Sequence, residues 1–207
     1  EQQIESMTAS EFASFYSDYV KENWWGIMGK KLGCKNAAID ILGSAAKEED
    51  INIYLKCYSD YKYSDCKSNS YYKISPGTCP AKIWLNAGAV AMNTVPINPL
   101  DMEPGDLVIF HSTLGGEINP ERATHVVILV EKKDRDNDGK DEYHFIQGNL
   151  VGGQAVKVED KGWKNNWYVW GDYKNKVWEN KPRRWNFENI ILTGEQIAYL
   201  EEKDLIA

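Results

Sequence analysis

The sequence predicts an α+β fold in which N-terminal helices pack on an antiparallel β-sheet. Two segments before residue 50 carry apolar residues at helical spacing, and five short β-branched and aromatic runs bounded by Gly, Asn and Asp follow residue 104. Helical period first and strand period later points to α+β. The 207 residues are 43% hydrophobic, enough for a sizeable core. No Pro/Gly/Ser linker divides them, so a single domain over 1–207 is expected. A formal net charge of −7 argues against a nucleic-acid or anionic-membrane binder, whose affinity comes from clustered Lys and Arg. No run of about 18 apolar residues is present to span a bilayer. The N-terminus also lacks a charged-then-apolar leader, which fits a cytoplasmic chain or a mature form whose leader has been removed.

The first helix begins at "TASEFASFYSDYVKENW", where Thr8 and Glu11 form a capping-box pattern and Phe12, Phe15, Tyr16 and Tyr19 share one face. The second begins at Cys34 in "KKLGCKNAAIDILGSAA", with Ala37, Ala38, Ile41, Leu42 and Ala45 on the stripe that also holds the thiol. Next comes "CYSDYKYSDCKSNSYYKISPGTC", rich in Tyr, Ser and Asp, which reads as part of an exposed insertion over about 50–78. A disulfide between two of Cys57, Cys66 and Cys79 would tie it down and imply an oxidising compartment. "CPAKIWLNAGAVAM" reads as a third helical segment with Pro80 near its first turn. The strands expected are 105–110, 124–130, 143–148, 154–158 and 189–194. A Trp-rich elaboration at about 160–188 has no assigned fold.

Cys34 is a candidate nucleophile because a helix N-terminus lowers a thiol pKa and a base from elsewhere completes its activation, with Lys30, Lys31 and Lys35 adding a little. A buried structural cysteine is the plainer alternative. His125 opens the apolar strand "THVVILV", where it is either a base or a satisfied structural group. If strands 124–133 and 142–149 pair around the loop 134–141, residue 125 falls opposite 149 or 150. Residues 143, 145, 147 and 149 then share the face of His125, Gln147 lies diagonal to it, and His144 points the other way. Gln147 and Asn149 are amides able to orient an imidazole.

These residues resemble NlpC-type and CHAP-type cell-wall cysteine peptidases. "WWGIMGKKLGCKNAAIDIL" is similar to the family segment in which a Trp-Gly pair precedes the catalytic cysteine by about ten residues. "PGDLVIF", "THVVILV" and "FIQGN" resemble its Pro-Gly-Asp strand, histidine strand and following polar-residue strand, in the same order. "GCK" replaces the usual Asp-Cys-Ser, and Cys79, at another helix start, is the rival nucleophile. The resemblance implies a papain-like fold and a mechanism in which His125 takes the proton of Cys34 and Gln147 or Asn149 fixes the ring. The implied substrate is a peptide or amide bond, chiefly in peptidoglycan, and the implied location is extracytoplasmic, with no cofactor needed for catalysis. Trp24 and Trp25 are expected to stack on sugar or line the groove, or else to be core. A non-catalytic binding module for glycan or protein on the same fold, and an amidase toxin with the same chemistry, are the other readings.

"DRDNDGKDE" places Asp134, Asp136 and Asp138 at alternate positions before Gly139, as in the first half of a calcium loop. Phe145 stands where an EF-hand needs its bidentate Glu, so any Ca²⁺ here would be held by these carboxylates, the Lys140 carbonyl and Asp141 or Glu142. Its role would be to stiffen the hairpin of His125 and Gln147. A solvated polar turn is the alternative.

Overall fold

A computed structural model of the chain describes residues 7–57, 69–74, 87–111, 123–151, 154–160, 167–169 and 181–206. Helix α1 (Ala9–Asn23) starts at the expected capping box: Glu11 N–H donates to Thr8 Oγ1 at 3.2 Å and Thr8 N–H to Glu11 Oε2 at 2.7 Å. It buries Phe12, Tyr16 and Val20 and runs into a 3₁₀ turn at Trp24–Ile27. Helix α2 (Cys34–Glu48) has Gly33 as its N-cap and makes no side-chain cap bond. Its buried stripe of Ala37, Ala38, Ile41, Leu42 and Ala45 is short in side chain at three of five places, which lets the helix lie close to the sheet.

Strands β1 (Ile53–Lys56) and β2 (Tyr71–Ile74) form a hairpin, followed by helix α3 (Ala87–Met92) and strand β3 (Thr94–Pro96). Then come β4 (Leu107–His111), β5 (Ala123–Lys133), β6 (Glu142–Gln147), β7 (Leu150–Val151), β8 (Gln154–Ala155), β9 (Glu159–Asp160), β10 (Trp167–Val169) and β11 (Lys181–Trp185). Helices α4 (Phe187–Ile190) and α5 (Gly194–Glu202) follow. The main sheet is antiparallel in order β10–β6–β5–β4–β11–β3, with β9 also paired to β6. One face, carrying Leu107, Ile109, Val126, Ile128, Val130 and Ile146, packs under α1 and α2. The other carries Val108, Val127, Leu129, Tyr143 and Phe145 with Met102. The α+β class is therefore as expected, and the alternation of β5 and β6 divides two cores.

Four sequence expectations change. Residues 189–194 are not a strand: α4 ends at Ile190, and Thr193 caps α5 through a second capping box with Gln196. The run 154–158 gives only the two-residue β8 before an isolated bridge at Lys157. The segment expected as an exposed insertion contributes core at both ends, since Ile53, Leu55 and Ile74 are buried among the helices. Its cysteines 66 and 79 lie outside the described residues, as does most of the expected third helix, while Cys57 is disulfide-bonded. Finally, part of the Trp-rich elaboration is integral, because β11 sits between β4 and β3 inside the sheet.

The Pro-Gly-Asp turn anchors that strand. Gly105 adopts φ +95° and a Cβ there would lie 2.4 Å from the Tyr16 ring, so α1 packs onto bare backbone. Asp106 accepts the Glu103 N–H at 2.7 Å and pairs bidentately with Arg184 of β11 at 2.7 and 2.8 Å. Burial pushes the Asp106 carboxyl up although Arg184 pulls it down, whereas Arg184 is held up by the same bonds. The two directions oppose each other, and the short bidentate geometry marks the pair as ionised.

Candidate active site

Strand β5 presents His125 at its start and pairs with β6 in the register Ile128↔Ile146 and Leu129↔Phe145. Continued to the strand end, this register sets His125 opposite Asn149, with Gln147 on the diagonal, as the sequence predicts. Beyond Leu129 a bulge shifts the pairing to Glu131↔His144. His125 Nε2 and Gln147 Oε1 are 2.7 Å apart. An amide carbonyl oxygen only accepts, so Nε2 carries the proton and Nδ1 is the basic nitrogen of the neutral ring. The imidazole also meets Phe110 edge-on, with centroids 5.6 Å apart. Gln147 is 8% exposed, which fixes the orienting amide in a dry setting.

Cys34 reaches the same end of β5 from the helix side. Its thiol is half-buried against the helix-side core, which includes Val126, the residue after His125, and the Val126 backbone N–H is among the groups that favour its thiolate. The approach is possible because β6 turns away at Gly148, where a Cβ would sit 2.3 Å from the Leu32 carbonyl and 2.6 Å from that of Gly33. Asn149 N–H donates to Leu32 O at 3.0 Å and Asn149 O accepts from Val156 N–H at 3.1 Å, so the Asn149 backbone secures the loop before Cys34. Leu32 N–H to Val156 O at 3.1 Å, Gly29 N–H to Val158 O at 3.0 Å and Val158 N–H to Lys30 O at 2.7 Å complete that cradle. Alternation puts His125 and Gln147 on the sheet face away from α2, while Cys34 packs on the helix side, so the two side chains belong to opposite faces at the same end of β5.

Burial pushes the Cys34 thiol above its ordinary value; the N–H groups of Val126, Lys35 and Cys34 itself, and the Lys35 ammonium, pull it down without offsetting that cost. The helix N-terminus alone therefore does not offset the burial of this thiol. Of the neighbouring lysines, Lys30 pairs with Asp40 at 3.1 Å.

Other expected residues fall elsewhere. Trp24 is 1% exposed and belongs to the core, which removes it as a substrate contact; Trp25 is 65% exposed and stacks on it with centroids 3.7 Å apart. His144 lies on the helix side, edge-on to Trp24 and 2.6 Å from Asp160, as parity requires. One carboxylate oxygen from each of Asp134, Asp136 and Asp138 can be found within 4.8 Å of the others. However, Asp134 already accepts the Asp138 and Gly139 amides at 3.2 and 2.8 Å, and Lys140 N–H donates to Asp138 at 2.8 Å. Glu142 is committed to the Arg135 N–H at 2.6 Å, and Asp141 lies 3.8 Å from Lys132. Cys79 is outside the described residues. A cavity lined by Tyr16, Glu103, Asp106, Arg184 and Phe187 adjoins the Pro-Gly-Asp turn and includes none of the site residues.

Sequence reasoning missed Gly148 and the ladder between residues 29–32 and 156–158. The glycine in "QGN" was the one available signal, since a glycine ending a strand marks close backbone approach. No family model, curated protein or solved structure matches the chain. Among the described residues, no helix is long and apolar enough to cross a membrane.

Proposed function

We propose that this protein is a cysteine hydrolase of amide bonds with a papain-like site of the NlpC and CHAP kind, acting on peptide bonds such as those of peptidoglycan. One observation carries the reading: the ring of His125, at the start of β5 next to Val126 of the core on which Cys34 packs, is fixed by Gln147 at 2.7 Å. In the reaction, Nδ1 of His125 takes the proton of Cys34 and the thiolate attacks the amide carbonyl. The imidazolium then protonates the leaving amine, and water releases the acyl group from sulfur as the ring again accepts a proton. Gln147 holds the Nε2–H tautomer throughout, a role that its geometry favours over Asn149. Calcium between Asp134, Asp136 and Asp138 would be structural, stiffening the β5–β6 hairpin. The disulfide at Cys57 supports an oxidising, extracytoplasmic setting.

The upward-shifted thiol favours a second reading, a non-catalytic module that binds glycan or protein on the same scaffold. Digestion of purified peptidoglycan and of peptide libraries by wild type, Cys34→Ser and His125→Ala separates the two. The hydrolase reading expects products one water heavier in sum than the intact substrate, made by wild type alone. Unchanged substrate in all three samples, with retained binding, establishes the module.

A further inference from the structure

His144 takes no part in the proposed reaction, yet its ring is engaged on three sides. Nε2 lies 2.6 Å from Asp160 Oδ1 of β9, and because a carboxylate only accepts, Nε2 carries the proton. Nδ1 faces Glu131 Oε2 of β5 at 3.8 Å. The ring meets the buried Trp24 edge-on, with centroids 5.2 Å apart and planes at 89°. The side chain is 12% exposed.

These contacts close a circuit through the loop before Cys34. Trp24 opens the 3₁₀ turn that leads into that loop. The loop is laddered to residues 156–158 by the bonds of Gly29 and Lys30 to Val158 and of Leu32 to Val156. Two residues further on, Asp160 returns to His144, and Ile146↔Asp160 and Gln147↔Glu159 pair the same segment with β6. Strand β9 has only two residues, both exposed, so backbone pairing alone gives it little hold on the sheet. A hydrogen bond to a carboxylate, from a ring packed against Trp24, fixes the far end of the ladder.

We infer that His144, through Asp160, is a positioning residue for the loop that leads to Cys34: it ties segment 156–160 to β6, and that segment holds residues 29–32 in place. The inference goes beyond the hydrolase reading, since it concerns where the loop is held and not what the thiol attacks.

Amide hydrogen exchange by NMR on the full chain, at one pH and temperature, reads the loop residue by residue. Alkylation of Cys34 by iodoacetamide is followed in parallel by mass spectrometry. Asp160→Leu and His144→Phe should each speed exchange at the Gly29, Leu32 and Val158 amides about three- to tenfold, while amides of α1 and of the β4–β5 ladder keep their wild-type rates. Alkylation of Cys34 should rise in the same two variants. Asp160→Asn, whose carbonyl still accepts from Nε2–H, should stay near wild type in both readouts. The double variant should exchange no faster than the quicker single, as for two halves of one contact. Glu159→Leu, exposed on the same strand, is the control. Exchange at the three amides equal to that control overturns the inference, and so does acceleration spread evenly over α1 and the β4–β5 ladder, which marks general destabilisation. Local acceleration with no change at Cys34 overturns the positioning role. Local acceleration, faster alkylation and rescue by Asp160→Asn in a protein that cleaves no amide support the inference and overturn the hydrolase. Amide cleavage with unaltered loop exchange in both variants leaves the hydrolase standing and overturns the inference.

Discussion

Gly148→Ala tests whether the site is built by close approach of two backbones. The added methyl would meet Leu32 O at 2.3 Å, Gly33 O at 2.6 Å and Gly33 C at 2.9 Å, all main-chain atoms that cannot rotate aside. Restoring ordinary contact at 3.4 Å requires the Leu32 carbonyl to retreat by about 1 Å. The 29–33 segment is pinned by its bonds to Val156 and Val158, so the retreat breaks the Asn149 N–H to Leu32 O bond and carries Cys34 away from Val126. Overpacking costs about 1–3 kcal/mol and the lost hydrogen bond about 1 more, together a fall in Tm of roughly 4–16 °C for a chain of this size. A displacement of about 1 Å at a nucleophile costs on the order of 100-fold in rate. Melting, Cys34 alkylation and substrate turnover are measured together, with Gly26→Ala as control because nothing lies within 4 Å of a Cβ there. If Gly148→Ala matches that control in melting and in thiol reactivity, the loop before Cys34 does not rest on this glycine and the geometry described for the site is wrong.

Gln147→Leu removes the acceptor that holds His125 Nε2–H, so kcat/KM should fall at least about 10-fold without a comparable loss of Tm, while Gln147→Glu should retain most of the activity. Steady-state kinetics on the cleaved substrate decide it. Arg184→Met strands the Asp106 carboxylate, 5% exposed, and should cost about 3–5 kcal/mol at neutral pH by denaturant unfolding. Burial already pushes the Asp106 carboxyl above the 3.8 of a free aspartate, so protonation rescues the variant. Its deficit should grow as pH rises from about 4 through the folded pKa and shrink on acidification, the direction expected where the native state binds the extra proton. Calcium should raise Tm relative to chelator, and Asp136→Asn should abolish the rise; equal melting in both buffers leaves 134–139 as a polar turn.

The helices and the centre of the sheet were legible because local chemistry and burial agree there. Thr8 with Glu11, the alanine stripe after Cys34 and the β-branched run after His125 each point to one structure, and the β5–β6 pairing follows from the hairpin around 134–141, although the bulge beyond Leu129 does not. The same parity put Gln147 beside His125 and sent His144 to Trp24. The C-terminal part was misread for physical reasons. "NIILTG" has strand composition, but Thr193 with Gln196 is a capping box that outweighs it, as the corresponding pair does at α1. "KPRRW" has poor strand propensity, yet it is held in the sheet by Arg183 on Thr94 and Arg184 on Asp106, contacts that no local pattern announces. Trp24 was open between groove and core, and the 3₁₀ turn at Trp24–Ile27 buries it while leaving Trp25 exposed.

How the thiol is activated decides what kind of site this is. A sulfur that is half-buried at a helix start meets two opposing effects, desolvation that favours S–H and N–H donors that favour S⁻, and here desolvation wins. Lys35 does not reverse the balance, because its attraction is smaller than the desolvation of the sulfur. In the proposed hydrolase the source of a negative sulfur is transfer of its proton to an imidazole, and Gln147 supplies the acceptor that stabilises the protonated ring. In the proposed hydrolase the contribution of the sheet is therefore orientation: β5 and β6 fix which ring nitrogen is basic, and Gly148 lets the backbone before Cys34 approach the end of β6.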